Sequence, residues 1–129
     1  MRMFAGVVLA LGLAGPVWAD VPVETAKLKG QAITLHVHPF LTEQELQTLR
    51  LVMTNKQALD LFITSKGFSA IAVAPGEGFI RDNAPVKSAV AIGDFASAEE
   101  AAAAALKGCD AARQGGEACV LVLEVGPAG

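Results

Sequence analysis

His36 and His38, one residue apart in ITLHVHP, are the sharpest chemical constellation in this chain. Imidazole suits Zn, Cu or Ni, and in an extended segment residues two apart point to the same side. Two ligands fall short of the three or four protein ligands that a zinc site takes. The pair is therefore read as histidines on the solvated face of a strand, with a metal-binding module using His36 and His38 as the alternative.

Cys109 and Cys119 are the only cysteines. Nine residues separate them, so there is no C-x-x-C redox motif, and a structural zinc would need four ligands. An even cysteine count in an exported chain favours a disulfide. Closing this loop would contribute about 3 kcal/mol in the chain-entropy description.

The segment from Pro75 to Pro85, with Phe79, Ile80, Arg81 and Asp82, is the best candidate for partner binding. It is long for a strand connection, and long loops in compact domains are frequently functional. An apolar pair beside Arg81 would hold a partner, unless Phe79 and Ile80 fold back onto the core. Gly76-Glu77-Gly78 has no lysine or helix start after it, so it fails as a phosphate cradle and reads as a turn. Glu43, Glu45, Glu99 and Glu100 lie where first helical turns are expected, and there a carboxylate complements the helix dipole and caps. No serine sits in G-x-S-x-G, which makes a small hydrolase the weakest reading. Nothing in the sequence calls for a cofactor.

The elements that must position these groups follow a leader. Residues 1–19, MRMFAGVVLALGLAGPVWA, place Arg2 ahead of a short apolar run, Pro16 and the triplet Val17-Trp18-Ala19. This is the pattern of a secretory signal peptide cleaved after Ala19. The run is shorter than the roughly 20 apolar residues of a spanning helix, so no membrane anchor is expected once the leader is removed. Residues 20–129 fit a single domain. Arg2 is the only charge lost, leaving nine basic against thirteen acidic residues and a net charge of −4. There is no Lys/Arg cluster, which argues against a nucleic-acid partner. Trp18 leaves with the leader and there is no Tyr, so five Phe are the mature aromatics. Aromatic platforms of the kind that bind single-stranded nucleic acid are scarce.

Residues 20–31 are left unassigned. Ile33, Leu35 and Val37 alternate with Thr34, His36 and His38, predicting a half-buried strand stopped by Pro39. Thr42 and Glu45 have capping-box spacing and Leu41 and Leu46 that of a hydrophobic staple, so a helix starts near Glu43. A second T-x-x-Q at Thr54 and Gln57 opens a new or bent helix through ALDLFITSK, stopped by Gly67, although LDLFIT also fits a strand. FSAIAVA, 68–74, and VKSAVAI, 86–92, read as strands. Ser97 and Glu100 open the helix AEEAAAAALKGCDAARQ, ended by Gly115-Gly116, with Ala98, Ala102, Ala105, Cys109 and Ala112 on its buried stripe. ACVLVLEV is apolar on both faces except at Glu124, which suggests an interior strand. The order β-α-(α)-β-β-α-β predicts an α+β fold, one sheet with helices packed on it and a single disulfide.

SAIAVAPGEG, the alanine helix DFASAEEAAAAALKGC and the cysteine before ACVLVLEV together carry a resemblance. Residues 68–125 are similar to a family of short secreted bacterial proteins of unknown function, with a GAIA-type strand, an alanine helix ending in Cys and a second Cys opening the last strand. This chain has Phe68-Ser69 where that pattern has an aromatic residue followed by Gly. Some similar chains carry the label 5-aminolevulinic acid synthase, which implies a pyridoxal-phosphate enzyme of several hundred residues. A mature chain of 110 residues is too short for that architecture. The expectation is a non-enzymatic periplasmic or secreted domain that binds an envelope protein or peptide.

Overall fold

The computed structural model describes residues 21–63 and 67–128; the expected leader, residues 1–19, lies outside them. The first described element is one the sequence left unassigned. Strand β1 (Val23–Leu28) pairs antiparallel with β2 (Gln31–His36), with Leu28 opposite Gln31. Lys29 and Gly30 form the two-residue connection with φ of 53° and 81°. Positive φ at both central positions matches the right-handed twist of the two strands.

Helix α1 (Glu43–Thr54) opens with the reciprocal Thr42–Glu45 capping box. Helix α2 (Lys56–Phe62) is capped by Asn55, whose side chain accepts from the Ala58 amide, one residue later than the expected Thr54 cap. It ends at Phe62 rather than at Gly67, and the described part of ALDLFITSK settles as helix, not strand. Gly67 (φ 61°) serves the sheet instead: a Cβ there would come within 2.7 Å of the Phe95 carbonyl.

Strand β3 (Phe68–Val73) is followed by a small hairpin, β4 (Ile80–Arg81) and β5 (Ala84–Pro85), inside the segment read as a loop. Strand β6 (Val90–Phe95) lies later than the 86–92 span expected. Helix α3 (Ala98–Ala112) and strand β7 (Val120–Pro127) complete the chain. The five long strands form one antiparallel sheet in the order β1-β2-β7-β3-β6. Strand β7 is central, as its two apolar faces predicted, and the fold is α+β.

Strand alternation sends Ile71 and Val73 to one face and Ala70 and Ala72 to the other. The first face meets Leu49, Val52, Met53 and Leu59 of α1 and α2. The second meets Ala101, Ala105 and Cys109 of α3. A bulge between Ile71 and Ala72 of β3 leaves Val122 as the extra residue of β7, so Val122 and Leu123 both reach the larger core. The α3 stripe differs from the expected one: Ala98 and Ala112 are exposed, and Ala101 is buried in their place. Small side chains on the sheet let α3 lie close to it, and Phe68 occupies the space above Gly126, where a Cβ would come within 2.5 Å of its ring.

Candidate functional site

Cys109 and Cys119 form the disulfide, with Cα atoms 6.1 Å apart, joining the last turns of α3 to the residue before β7. Asp110 fixes the same corner. Its Oδ1 accepts from the Cys119 amide at 2.8 Å and from Arg113 Nε at 2.9 Å. The Cys119 amide is the main reason that its carboxyl sits below the usual carboxylate range.

The segment 75–85 is bound down from beneath by Glu45, which is fully buried. Oε2 accepts from the Phe79 amide at 2.6 Å and the Ile80 amide at 2.9 Å, while Oε1 closes the capping box on the Thr42 amide at 2.9 Å. Arg81 reaches both oxygens at 3.4 Å. Burial works to raise the Glu45 pKa, and the amides of Ile80, Thr42 and Phe79 together with Arg81 outweigh it, so it lies below its ordinary value. Glu77 ties the segment at a second point. It accepts from the Ser88 hydroxyl and, at 2.7 Å, from the Gln114 amide, and these two bonds hold its carboxyl below the usual range.

Of the four residues proposed for partner binding, Phe79 is buried in the larger core and Ile80 packs against it. Arg81 faces Glu45, and Asp82 sits exposed in the hairpin turn with φ 54°. Phe79 nevertheless lines a groove of about 160 Å³. Leu49, Val52 and Phe62 come to it from the helices, Ile71 from β3, and Val86 from just beyond the 75–85 segment, which straps across the helices, and all ten lining residues are apolar. If each heavy atom takes a water's share of volume, about 30 Å³, the groove has room for about five heavy atoms, one leucine-sized side chain. Phe62 at its rim is 38% exposed and Leu61, next in the chain, 83%.

His38 does not stand on a solvated face, and His36 is half-buried. Strand β2 ends at His36, and beyond it the His38 ring is buried, stacked on Phe40 at 5.3 Å. His38 Nε2 donates to the Leu121 carbonyl at 2.8 Å. His36 Nε2 pairs with Glu124 Oε2 at 2.7 Å. Leu106 of α3 and Leu121 of β7 line one groove together with both rings, a layer over this face of the strand that alternation alone does not reveal. The ring centroids are 6.3 Å apart, and among the described residues no group of three or more His, Cys, Asp or Glu is placed to hold a metal ion.

Glu45 was read from sequence as a cap only, and its second role depends on amides 34 and 35 positions away. Glu124 carried a signal, being the lone charge in ACVLVLEV. No protein-family model matches the chain, and no curated protein or solved structure is found to be similar to it. Among the described residues no helix is long and apolar enough to cross a membrane.

Proposed function

We propose that this is a non-catalytic binding domain, exported to the periplasm or secreted, that takes an apolar side chain of an envelope protein or peptide into the groove beside Phe79. The observation that carries this reading is the all-apolar lining, walled on one side by a strap that a buried carboxylate holds in place. Such a wall is preformed, so a ligand is spared the ordering cost that a mobile loop would add. The exposed Leu61 and Phe62 extend the apolar surface outward from the rim. Export is supported by the leader-like residues 1–19, by the disulfide and by the resemblance of residues 68–125 to short secreted bacterial proteins.

The test is a methyl-region NMR titration with the capped peptide acetyl-Ala-Leu-Phe-Ala-amide. Saturable shifts are expected at Leu49, Val52, Ile71 and Val86. They should disappear in Ala89→Trp, which fills the groove from its lining. Shifts scattered over the surface, or unchanged in that variant, would refute the reading.

A further inference from the structure

On the opposite face of the sheet, between α3 and the C-terminal end of β2, lies a second groove of about 150 Å³. Leu106, Leu121 and the sulfur-bearing Cys119 supply its apolar lining, and His36, His38 and Glu124 its polar lining. The hydrogen bonds already made decide what the polar groups have left. A carbonyl only accepts, so the bond from His38 to the Leu121 carbonyl places the proton on Nε2 and leaves Nδ1 with a lone pair. No described residue bonds to that nitrogen. Glu124 is held through Oε2 by His36, and its Oε1 likewise takes no bond from a described residue. Among the described residues, the lining groups left without a partner are thus Glu124 Oε1, His38 Nδ1 and His36 Nδ1, which also accepts when the His36 ring is neutral with its proton on Nε2, and no Lys or Arg lines the groove.

We propose that this groove binds a primary ammonium group carried on a short aliphatic stem. An ammonium offers three donors and no acceptor, which complements Glu124 Oε1 and His38 Nδ1, while the stem lies on Leu106 and Leu121. An anion would find no Lys or Arg side chain in the lining to receive it. A purely apolar ligand would strip water from these acceptors without replacing it, which is unfavourable for each group. The available space matches about five heavy atoms at a water's share of about 30 Å³ each. Burial lowers the His38 pKa, against the opposing effect of its bond to Leu121, and this keeps the ring in the neutral form that accepts. The same ammonium can come from a free amine or from a lysine side chain of a partner.

The experiment follows the ring signals of His36 and His38 and the methyls of Leu106 and Leu121 while the folded protein is titrated with n-butylammonium chloride. Saturable shifts in the millimolar range are expected, at least tenfold weaker with 1-butanol and at least tenfold weaker in Glu124→Gln. Equal binding of butanol would show an apolar pocket only, and undiminished binding by Glu124→Gln would remove the carboxylate from the site; either result overturns the proposal. A ZnCl₂ arm gives a further check. Zinc binding that engages both rings more tightly than butylammonium would make this a metal site and overturn the ammonium assignment. Nα-acetyl-lysine methylamide distinguishes the sources: tighter binding than butylammonium points to a lysine-bearing partner, and weaker binding to a free amine. This site does not depend on the apolar groove, and Ala89→Trp should leave it unchanged.

Discussion

Replacing Glu45 by Ala should be the most damaging single change to the apolar side of the molecule. The carboxylate is fully buried and takes the amides of Phe79, Ile80 and Thr42 besides Arg81. Thr42 is exposed and its amide can turn to water; the Arg81 side chain is 36% exposed and can do the same. Phe79 is buried, so its amide and the neighbouring Ile80 amide bear most of the loss, at about 1–3 kcal/mol for each unsatisfied buried group. Adding the capping contribution, about 1 kcal/mol, the total comes to about 3–7 kcal/mol. Urea denaturation should show this as a lower midpoint at unchanged slope. Arg81→Ala, which removes only the exposed partner, should cost about 1 kcal/mol or less. The sign of the pH dependence follows from the lowered Glu45 pKa. In the window between the folded and unfolded values the unfolded chain binds more protons, so the contribution is complete above the unfolded value of about 4.3 and is lost as pH falls through the folded one. Glu45→Gln should flatten that acid limb. A Glu45→Ala loss under 1 kcal/mol, or one no larger than that of Arg81→Ala, would refute the account of the strap.

Removing the disulfide with Cys109→Ser and Cys119→Ser should lower stability by about 2–5 kcal/mol, read from thermal or urea unfolding; thiol labelling of the denatured, unreduced wild type should find no free sulfhydryl. Intact mass of the exported protein should correspond to residues 20–129, and with Trp18 gone and no Tyr the product should barely absorb at 280 nm. Gly126→Ala should destabilise by about 1–3 kcal/mol, because the new methyl meets the Phe68 ring; a neutral result in calorimetry would mean that the ring has room to move.

The elements most legible in the sequence are those whose signals are local. The capping box at Thr42 and Glu45, the alternation of Ile33 and Leu35 and the unbroken apolar run of β7 each report on their own neighbours in the chain. Strand β1 escaped because Val23–Leu28 is an edge strand with no fully buried position, so its alternation has little contrast, although Lys29-Gly30 was a hairpin signal. The phase of α3 was misplaced because eight of its fifteen residues are alanine and the unbroken run from Ala101 to Ala105 puts the same residue on every face. The second duty of Glu45 and the pairing of Glu124 with His36 join residues 34 and 88 positions apart, and no local pattern carries such distances. His38 was taken for a surface residue since alternation says which side a ring faces, not what lies over that side.

The unequal thickness of the two packed faces also bears on how the molecule opens. Only Ala101, Ala105 and Cys109 of α3 are buried, whereas α1 inserts Leu49, Val52 and Met53. Burying a Leu, Val or Met side chain contributes about 1.5–3 kcal/mol and a methyl(ene) group about 0.8 kcal/mol, so α3 should detach in a sub-global fluctuation well below the free energy of complete unfolding. In amide hydrogen exchange of the reduced protein, α3 should lose protection before α1 and the central strands. With Cys109 and Cys119 joined, the detached helix stays tethered by its last turns to the strand at the middle of the sheet, and reclosing becomes a short-range event. The covalent bond then acts chiefly on the breathing of one layer, and a domain with so thin a helix interface should be cleaved faster by protease once that tether is reduced.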